Sequence, residues 1–361
     1  MARVARRAPR LKAVYRRAYA LLVGIAVVMG ALAVVAAISL DKQLVDPEGF
    51  LGPSWLRLPL LLTGAFALDL VPRTLWLSKF KPVDMPAVFM ERVRTHWTRE
   101  RLTLVVLGLV CFYTTYVSYR NLKSFLPFVM GETKYDRTLH LVDRMLLFGH
   151  EPGVLLHHVL GTGIAAHVLS YIYLWFLPLV PLALTGWLIW SKNITYGYWF
   201  ATSQSIAWSL GTLSYYALPT LGPGLAYPSI YTDLPDTPTR DLMEALVEIR
   251  MKVRIGGLED TVQSIAGFAS LHTAITLLVA LMVQYTLRNR ILKWVFWVNF
   301  GVTMIATIYF GWHYIADDVA GVMIALVAFY VGGIASGQKF ERHGLASHPT
   351  ADTAKVPVLE D

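Results

Sequence analysis

Long apolar segments recur along this chain and limit what it can fold into more than any other feature. Eight of them are roughly long enough to cross the hydrocarbon core of a bilayer as helices. They span about residues 18–40, 56–77, 102–119, 165–190, 197–218, 264–287, 294–312 and 318–336. Backbone polar groups inside lipid must be satisfied within the segment, which favours helices. Because charged residues fill only 16% of positions, the sequence predicts an all-α polytopic membrane helix bundle.

The positive charge follows the ends of these segments. The formal net charge is +8, and the Lys and Arg residues cluster at the N-terminus and in two basic segments, Lys79 to Arg101 and Arg288 to Lys293. Basic flanks mark the cytoplasmic side of a membrane protein and bind anionic lipid. This pattern predicts a plasma-membrane protein with both termini in the cytoplasm, and it favours the lipid bilayer over a nucleic acid as partner. The connections 120–164 and 219–263 then lie outside.

Three ionisable residues are predicted to lie at the same depth in the membrane. His272 is near the start of the sixth span and His313 near the end of the seventh, so antiparallel neighbours bring both to the outer face. Asp317 follows His313 by four residues, a spacing that places two side chains on the same face of a helix. Ionisable groups at membrane depth are costly and usually mark function. We therefore expect the three residues to form one site.

The residues around them resemble the type-2 phosphatidic-acid phosphatase superfamily. Ser270-Leu271-His272 is similar to its second motif, and the segment from His313 to Asp317 is similar to the core of its third. Tyr314 and Gly321 resemble the inositol-phosphorylceramide-synthase branch. An upstream segment also resembles that branch, at Tyr135-Asp136, Leu139, Asp143, Phe148-Gly149 and Pro152. The resemblance covers roughly residues 102–336, a six-helix core, with two further helices before it.

The resemblance implies a role for each motif residue. His313 is expected to attack phosphorus and form a phosphohistidine, with Asp317 orienting its imidazole. His272 is expected to protonate the leaving alcohol as a general acid. Ser270 and the start of the sixth span are expected to hold phosphate oxygens, because a helix N-terminus favours anions. The substrates implied are phospholipids or polyprenyl-type phosphates, with no cofactor and no metal.

The chain departs from the phosphatase pattern where the family binds phosphate. Thr307 stands six residues before His313, where the phosphatases have an Arg, and the first phosphatase motif is absent in its usual form. Phosphate charge still needs basic partners, and the candidates on the predicted outer side are Arg120, Lys123, Lys252 and Arg254. The synthases resembled also lack the upstream Arg, so the departure favours group transfer over hydrolysis.

Structural roles compete with functional ones at several positions. Ser270 could be an N-cap instead of a phosphate ligand. Asp318 points about 100° away from Asp317 around a helix, which favours a capping or supporting role. Asp69 and Arg73 are four residues apart, and a structural ion pair is the favoured interpretation there.

Three functions remain open at this stage. The favoured one is a phosphotransferase that moves a phosphoryl-headgroup unit from a lipid donor to an alcohol. A lipid phosphate phosphatase would use the same residues with water as acceptor, and a transporter or structural membrane protein would use them for binding alone. His313 with Asp317 could also be half of a metal site, which loss of activity with a chelator would reveal. The predicted organisation is 1–101 with two extra helices and a linker, 102–336 as catalytic core and 337–361 as a disordered tail.

Overall fold

Helices connected by turns make up the computed structural model, which describes residues 11–47, 54–131, 133–256, 267–338 and 340. In the order of the described chain the α-helices are α1 Leu11–Leu40, α2 Ser54–Leu77, α3 Met85–His96, α4 Arg99–Met130, α5 Asp136–Leu146, α6 Pro152–Leu160, α7 Ile164–Leu174, α8 Phe176–Thr185, α9 Ile194–Ala217, α10 Pro223–Ala226, α11 Pro238–Gly256, α12 Leu271–Thr286, α13 Arg290–Tyr309 and α14 Ile315–Ala335. These described ranges contain no strand. The basic residues before Leu11 and the predicted tail beyond residue 340 lie outside them.

Five of these helical segments are long and apolar enough to cross a membrane. They are Tyr19–Leu40, Arg99–Met130, Ile164–Trp190, Arg290–Tyr309 and Ile315–Ala335. Helix α12 is apolar but shorter, and helices α2 and α9 cover the second and fifth predicted spans. The chain is therefore an all-α membrane protein, as the sequence predicts, while the count of eight spans stays a prediction.

Helix α9 forms the centre of the bundle and packs against α1, α4, α12 and α14. Its residues Trp199, Phe200 and Ala201 are fully buried, which requires neighbours on every side of the helix. The Trp199 indole donates a hydrogen bond of 2.8 Å to the carbonyl oxygen of Phe329 in α14. Apolar side chains on the outer helices are exposed instead, such as Val27 and Ile38 of α1. In a bilayer these side chains face lipid.

Helix α4 is longer than the predicted span 102–119. It continues to Met130, with Gly131 as its C-cap, because residues 121–126 are all buried against the bundle. The connection predicted to begin at residue 120 therefore begins only after Met130. Arg120 and Lys123 consequently lie within a packed helix and not in a loop.

Asp69 of α2 is fully buried in a cluster of basic and aromatic partners. Its carboxylate accepts hydrogen bonds from Arg92 of α3 at 3.0 and 3.2 Å and from the Trp97 indole at 3.0 Å. Arg73 lies 3.2 Å from the same carboxylate, in agreement with the predicted ion pair. A buried carboxylate needs such partners, so the cluster fixes α3 against α2.

The two basic segments flank the same end of the bundle. Arg101, near the start of α4, donates to the carbonyl oxygen of Leu188 at 3.1 Å. The neighbouring Trp187 donates to Thr286, the last residue of α12, at 3.0 Å. We call this the basic end. The other end of α12 begins at Leu271, next to the predicted catalytic residues, and we call it the site end.

Candidate active site

His313 lies in the turn between α13 and α14, directly before the first turn of α14. Its Nδ1 atom is 3.3 Å from Oδ2 of Asp317. The same oxygen accepts the backbone N–H of Tyr314 at 2.9 Å, which caps the helix. His313 is 7% exposed and Asp317 is fully buried. When Nδ1 carries the hydrogen that points to Asp317, the lone pair of Nε2 is left for chemistry.

Ser270 caps the beginning of α12 and ties it to α14. Its hydroxyl accepts the N–H of Thr273, and its own N–H donates to the carbonyl oxygen of Asp317 at 2.9 Å. The two helix starts approach so closely that a Cβ atom at Gly321 would lie 2.4 Å from the carbonyl oxygen of Ser270. Only glycine fits there. The structure thus gives Ser270 the N-cap position, and its role as a phosphate ligand stays a prediction.

His272 is held in an aromatic stack on the first turn of α12. Its ring centre lies 4.3 Å from that of Tyr173, with 12° between the ring planes, and 4.0 Å from that of Phe176. Tyr173 also stacks with Trp312, at 5.6 Å between ring centres and 11° between ring planes. Such packing fixes the imidazole in one orientation. Trp312 directly precedes His313, and Ser270 before α12 donates to Asp317, so His272 lies beside the turn that carries His313.

Lys123 is the basic candidate that the structure brings to this site. It is 8% exposed, its Nζ atom is 3.4 Å from the Tyr119 hydroxyl, and it lies 4.9 Å from the centre of the Tyr215 ring. Arg120, one turn earlier on α4, lies 3.4 Å from the Tyr116 hydroxyl. Ser214, next to Tyr215, accepts the N–H of Ala269 just before α12, which places Lys123 towards the beginning of α12. The phosphate-binding roles of Lys123 and Arg120 stay predictions.

The two other basic candidates, Lys252 and Arg254, belong to α11. Lys252 is exposed and pairs with Glu248 one turn away on the same helix, and its role as a phosphate ligand stays a prediction. The backbone of Arg254 belongs to α11, but its side chain lies outside the described residues. Arg250 of the same helix is half-buried.

Thr307 has a carboxylate as partner in the place where the phosphatases have an Arg. Its hydroxyl lies 2.8 Å from Oδ2 of Asp318, and the Thr273 hydroxyl donates to Oδ1 of Asp318 at 2.5 Å. Asp318 is 3% exposed and joins α12, α13 and α14. The supporting role expected for Asp318 agrees with this geometry. Thr307 therefore supports Asp318 in this structure.

Two buried carboxylates of α5, Asp136 and Asp143, hold the turn that carries His313, and the sequence analysis assigned them no role. Asp143 places both of its oxygens 3.2 Å from the N–H of Ile315, the first residue of α14. Asp136 accepts the Tyr314 hydroxyl at 3.1 Å and the N–H groups of Leu221 and Gly222. Asp136 and Asp143 are seven residues apart, which puts them on one face of α5. That spacing was the available signal.

Residues 219–224 pack against the turn that carries His313. Gly222 has a φ of +89°, and a Cβ atom there would lie 2.3 Å from the carbonyl oxygen of Trp312. The Gly224 N–H donates to the carbonyl oxygen of Gly311 at 2.7 Å. Both contacts need residues without side chains. The turn that carries His313 is thus enclosed by α5, α12 and this segment.

Asp143 gives the folded state a pH dependence of its own. Burial raises the pKa of its carboxyl to about 6; the Ile315 N–H opposes this, and the charges of Asp317, Glu151 and Asp318 add to it. An Asp in an unfolded chain titrates near ~3.9. Because the pKa is higher in the folded state, the contribution of Asp143 to the free energy of unfolding falls as the pH rises from about 4 to about 6, by on the order of 2 kcal/mol.

We therefore expect Asp143→Asn to remove part of the fall in stability between those pH values. The amide oxygen still accepts the Ile315 N–H, so the capping contact survives. Thermal unfolding of the two proteins in the same detergent at pH 4.5 and pH 7 measures the effect. The variant should lose less stability between the two conditions than the wild type, and equal losses would contradict the role assigned to this carboxyl.

These residues fall inside a family match. A sequence model described as the PAP2 superfamily matches residues 137–331, more than half of the chain and a range that includes both histidines and Asp317. The chain belongs to the PAP2 superfamily. Membership makes it a membrane enzyme of the phosphatase and phosphotransferase class that acts on lipid phosphates. No curated protein and no solved structure matches the sequence.

The PAP2 superfamily chain has no cluster of metal-binding side chains in the part that the structure describes. No three His, Cys, Asp or Glu residues there come close enough together to hold a metal ion. His157 of α6 has its Nε2 atom 2.8 Å from the carbonyl oxygen of Tyr309. That contact fixes α6 to the end of α13.

Proposed function

We propose that the protein is a lipid phosphotransferase that moves a phosphoryl-headgroup unit from a lipid donor to an alcohol acceptor. The observation that carries this proposal is the pairing of His313 with Asp317, with His272 and buried Lys123 beside it. The Nε2 atom of His313 attacks phosphorus, and the bond from phosphorus to the donor lipid oxygen breaks. The lipid alcohol leaves with a proton from His272.

The second half of the reaction reverses these roles. The acceptor hydroxyl gives its proton to His272 and attacks the phosphorus on His313, and the phosphorus–nitrogen bond breaks. Lys123 stabilises the charge on the phosphate oxygens in both steps. Asp317 holds the His313 ring in the tautomer that leaves Nε2 free and stabilises the charged ring as it forms.

Two features favour transfer over hydrolysis. Thr307 stands where the phosphatases have an Arg, and its carboxylate partner Asp318 leaves the phosphate charge to Lys123. The stack of Trp312, Tyr173 and Phe176 around His272 also gives the site an apolar wall, which favours a lipid-borne acceptor over water. Tyr314 and Gly321, which resemble the inositol-phosphorylceramide-synthase branch, both support the catalytic turn. We take a synthase-like activity on phospholipids or polyprenyl phosphates as the finer form of the proposal.

The membrane orientation belongs to the same proposal. Both basic segments flank the basic end, and basic flanks face the cytoplasm. The site end would then face the outside of the plasma membrane, with both termini in the cytoplasm.

The acceptor decides between the transferase and its closest alternative, a lipid phosphate phosphatase. We expect product formation from a radiolabelled phospholipid donor in nanodiscs to require an added lipid alcohol, such as a ceramide or diacylglycerol, and to give a new labelled lipid. Chromatography of the lipid and aqueous phases measures both outcomes. Equal release of the water-soluble phosphate with and without acceptor would favour the phosphatase.

A further inference from the structure

Helix α5 has two faces of opposite character. Asp136, Leu139 and Asp143 are buried on one face, where the two carboxylates hold the turn that carries His313. Met145 follows Asp143 by two residues, about 200° around the helix, and is 78% exposed. The exposed apolar residues of α5 and of the turn after it are Leu141, Val142, Met145, Leu146 and Phe148. A patch of this kind on a protein surface usually binds a membrane or another protein.

Phe148 is the most exposed of these residues, at 95%. Its φ is +54°, a left-handed backbone conformation that is unfavourable for a residue with a bulky side chain. The turn between α5 and α6 therefore holds an aromatic ring away from the rest of the described chain. Contact of that ring with an apolar phase offsets the unfavourable backbone conformation.

Hydrogen bonds connect α5 and α6 to the ends of two helices that are long and apolar enough to span the membrane. Asp143 of α5 accepts the N–H of Ile315, the first residue of α14. His157 of α6 lies 2.8 Å from the carbonyl oxygen of Tyr309, the last residue of α13. Helices of 20 and 21 residues are about 30 Å long, which is the thickness of a hydrocarbon core. Both short helices therefore lie at the depth where the hydrocarbon core ends.

Two arginines border the apolar face of α5. Arg137 and Arg144 are exposed and seven residues apart, which puts them on one side of the helix. Arg144 also lies 3.4 Å from Glu151 at the beginning of α6. Arginines at the edge of an apolar helix face extend to the phosphates of lipid headgroups. A phospholipid surface offers acyl chains to the apolar side chains and phosphates to the arginines, so it fits both parts of this face.

We propose that α5 and α6 lie between the headgroups and the acyl chains of the leaflet at the site end, with their exposed apolar side chains in lipid. Helix α5 has 11 residues and α6 has 9, so lengths of about 17 and 14 Å prevent either from crossing the membrane. The exposed apolar residues of α6 are Leu155, Val159 and Leu160. Short amphipathic helices at this depth lie in the plane of the membrane.

The position of α5 has a consequence for catalysis, which rests on the proposed function. Asp136 and Asp143 hold the turn that carries His313 from the buried face of α5. When the opposite face lies in lipid, α5 fixes the depth of this turn in the leaflet. His313 then lies close to the headgroup phosphates, where the phosphorus of a phospholipid substrate is found.

Spin labels on single cysteines test the position of α5 directly. Cys111 is the only cysteine of the sequence and is buried, so Cys111→Ala gives a background without a reactive thiol. The full chain is labelled at Met145→Cys or Phe148→Cys and placed in nanodiscs. Power saturation then measures collisions of each label with oxygen, which concentrates in lipid, and with a nickel chelate, which stays in water.

Two further positions calibrate the measurement. Val168→Cys is the lipid reference, because Val168 is 50% exposed on a segment long enough to span the membrane. Asp233→Cys is the water reference, because Asp233 is exposed and a carboxylate is costly in lipid. We expect the ratio of oxygen to chelate collisions at Met145 and Phe148 to be close to that at Val168 and several-fold above that at Asp233.

Two results would overturn the proposal. Labels at Met145 and Phe148 that meet the chelate as often as the label at Asp233 would place this face of α5 in water. Labels that neither reagent reaches would show that protein covers the face. None of these results depends on catalysis, so a failure of this proposal is distinct from a failure of the proposed transfer reaction.

Discussion

Replacing His313 by Asn is expected to lower the rate of headgroup transfer by at least about 10⁴-fold. The amide has no ring nitrogen to attack phosphorus, so the covalent route of the proposed reaction is lost. Formation of labelled product from a radiolabelled donor in nanodiscs measures the rate. Asn is smaller than His and carries no charge, and the variant should therefore still fold, which elution in detergent and thermal unfolding will show.

His158→Asn is the matched control for that experiment. His158 is an exposed histidine of α6, so the same substitution there should leave the rate within about twofold, as is usual for surface changes. A His313→Asn protein that is folded and keeps the wild-type rate would remove the proposed nucleophile.

His272→Gln is expected to lower the rate by about 10²- to 10⁴-fold with a lipid alcohol as leaving group, because general acid catalysis contributes that much. The effect should depend on the leaving group. A donor analogue with a p-nitrophenolate leaving group needs no proton when the bond to phosphorus breaks. We therefore expect the first step, measured as the burst of p-nitrophenolate, to be nearly as fast in His272→Gln as in the wild type.

The same comparison separates acid catalysis from a purely structural role of His272. His272 stacks on Tyr173 and packs against Phe176, so a structural role predicts that its loss disturbs the packing of the site. A packing defect would slow both donors equally. Equal losses with the lipid donor and the p-nitrophenyl donor would thus argue against His272 as the proton donor.

Much of the fold and part of the candidate site follow from local features of the sequence. Long apolar segments predict spanning helices because lipid leaves the backbone few alternatives. The spacing of His313 and Asp317 predicts a shared helix face. The structure places the two side chains 3.3 Å apart, but His313 lies in the turn before α14 and not on a helix. For Ser270 the sequence leaves an N-cap and a phosphate ligand as alternatives, and the structure has Ser270 as the N-cap of α12. The catalytic and phosphate-binding roles of these residues stay predictions.

The features that the sequence did not predict depend on packing between distant segments. The extension of α4 past residue 119 is stabilised by burial of its last turns, so local polarity alone suggested a loop there. Arg250 is half-buried and Lys252 is exposed because of the rotation of α11 about its axis. The weak apolar pattern of α11 does not predict that rotation. Asp136 and Asp143 receive their partners from Leu221, Gly222 and α14, which are more than 80 residues away in the chain.

Trapping the covalent intermediate tests the central claim most directly. The protein is mixed with a donor radiolabelled in its headgroup phosphate, quenched in alkali within one turnover and digested, and the modified peptide is located by mass spectrometry. The account predicts one phosphoryl-headgroup unit on His313 that is lost when an acceptor alcohol is added before the quench, and no adduct in His313→Asn. Turnover without any adduct, or an adduct on a different residue, would contradict it.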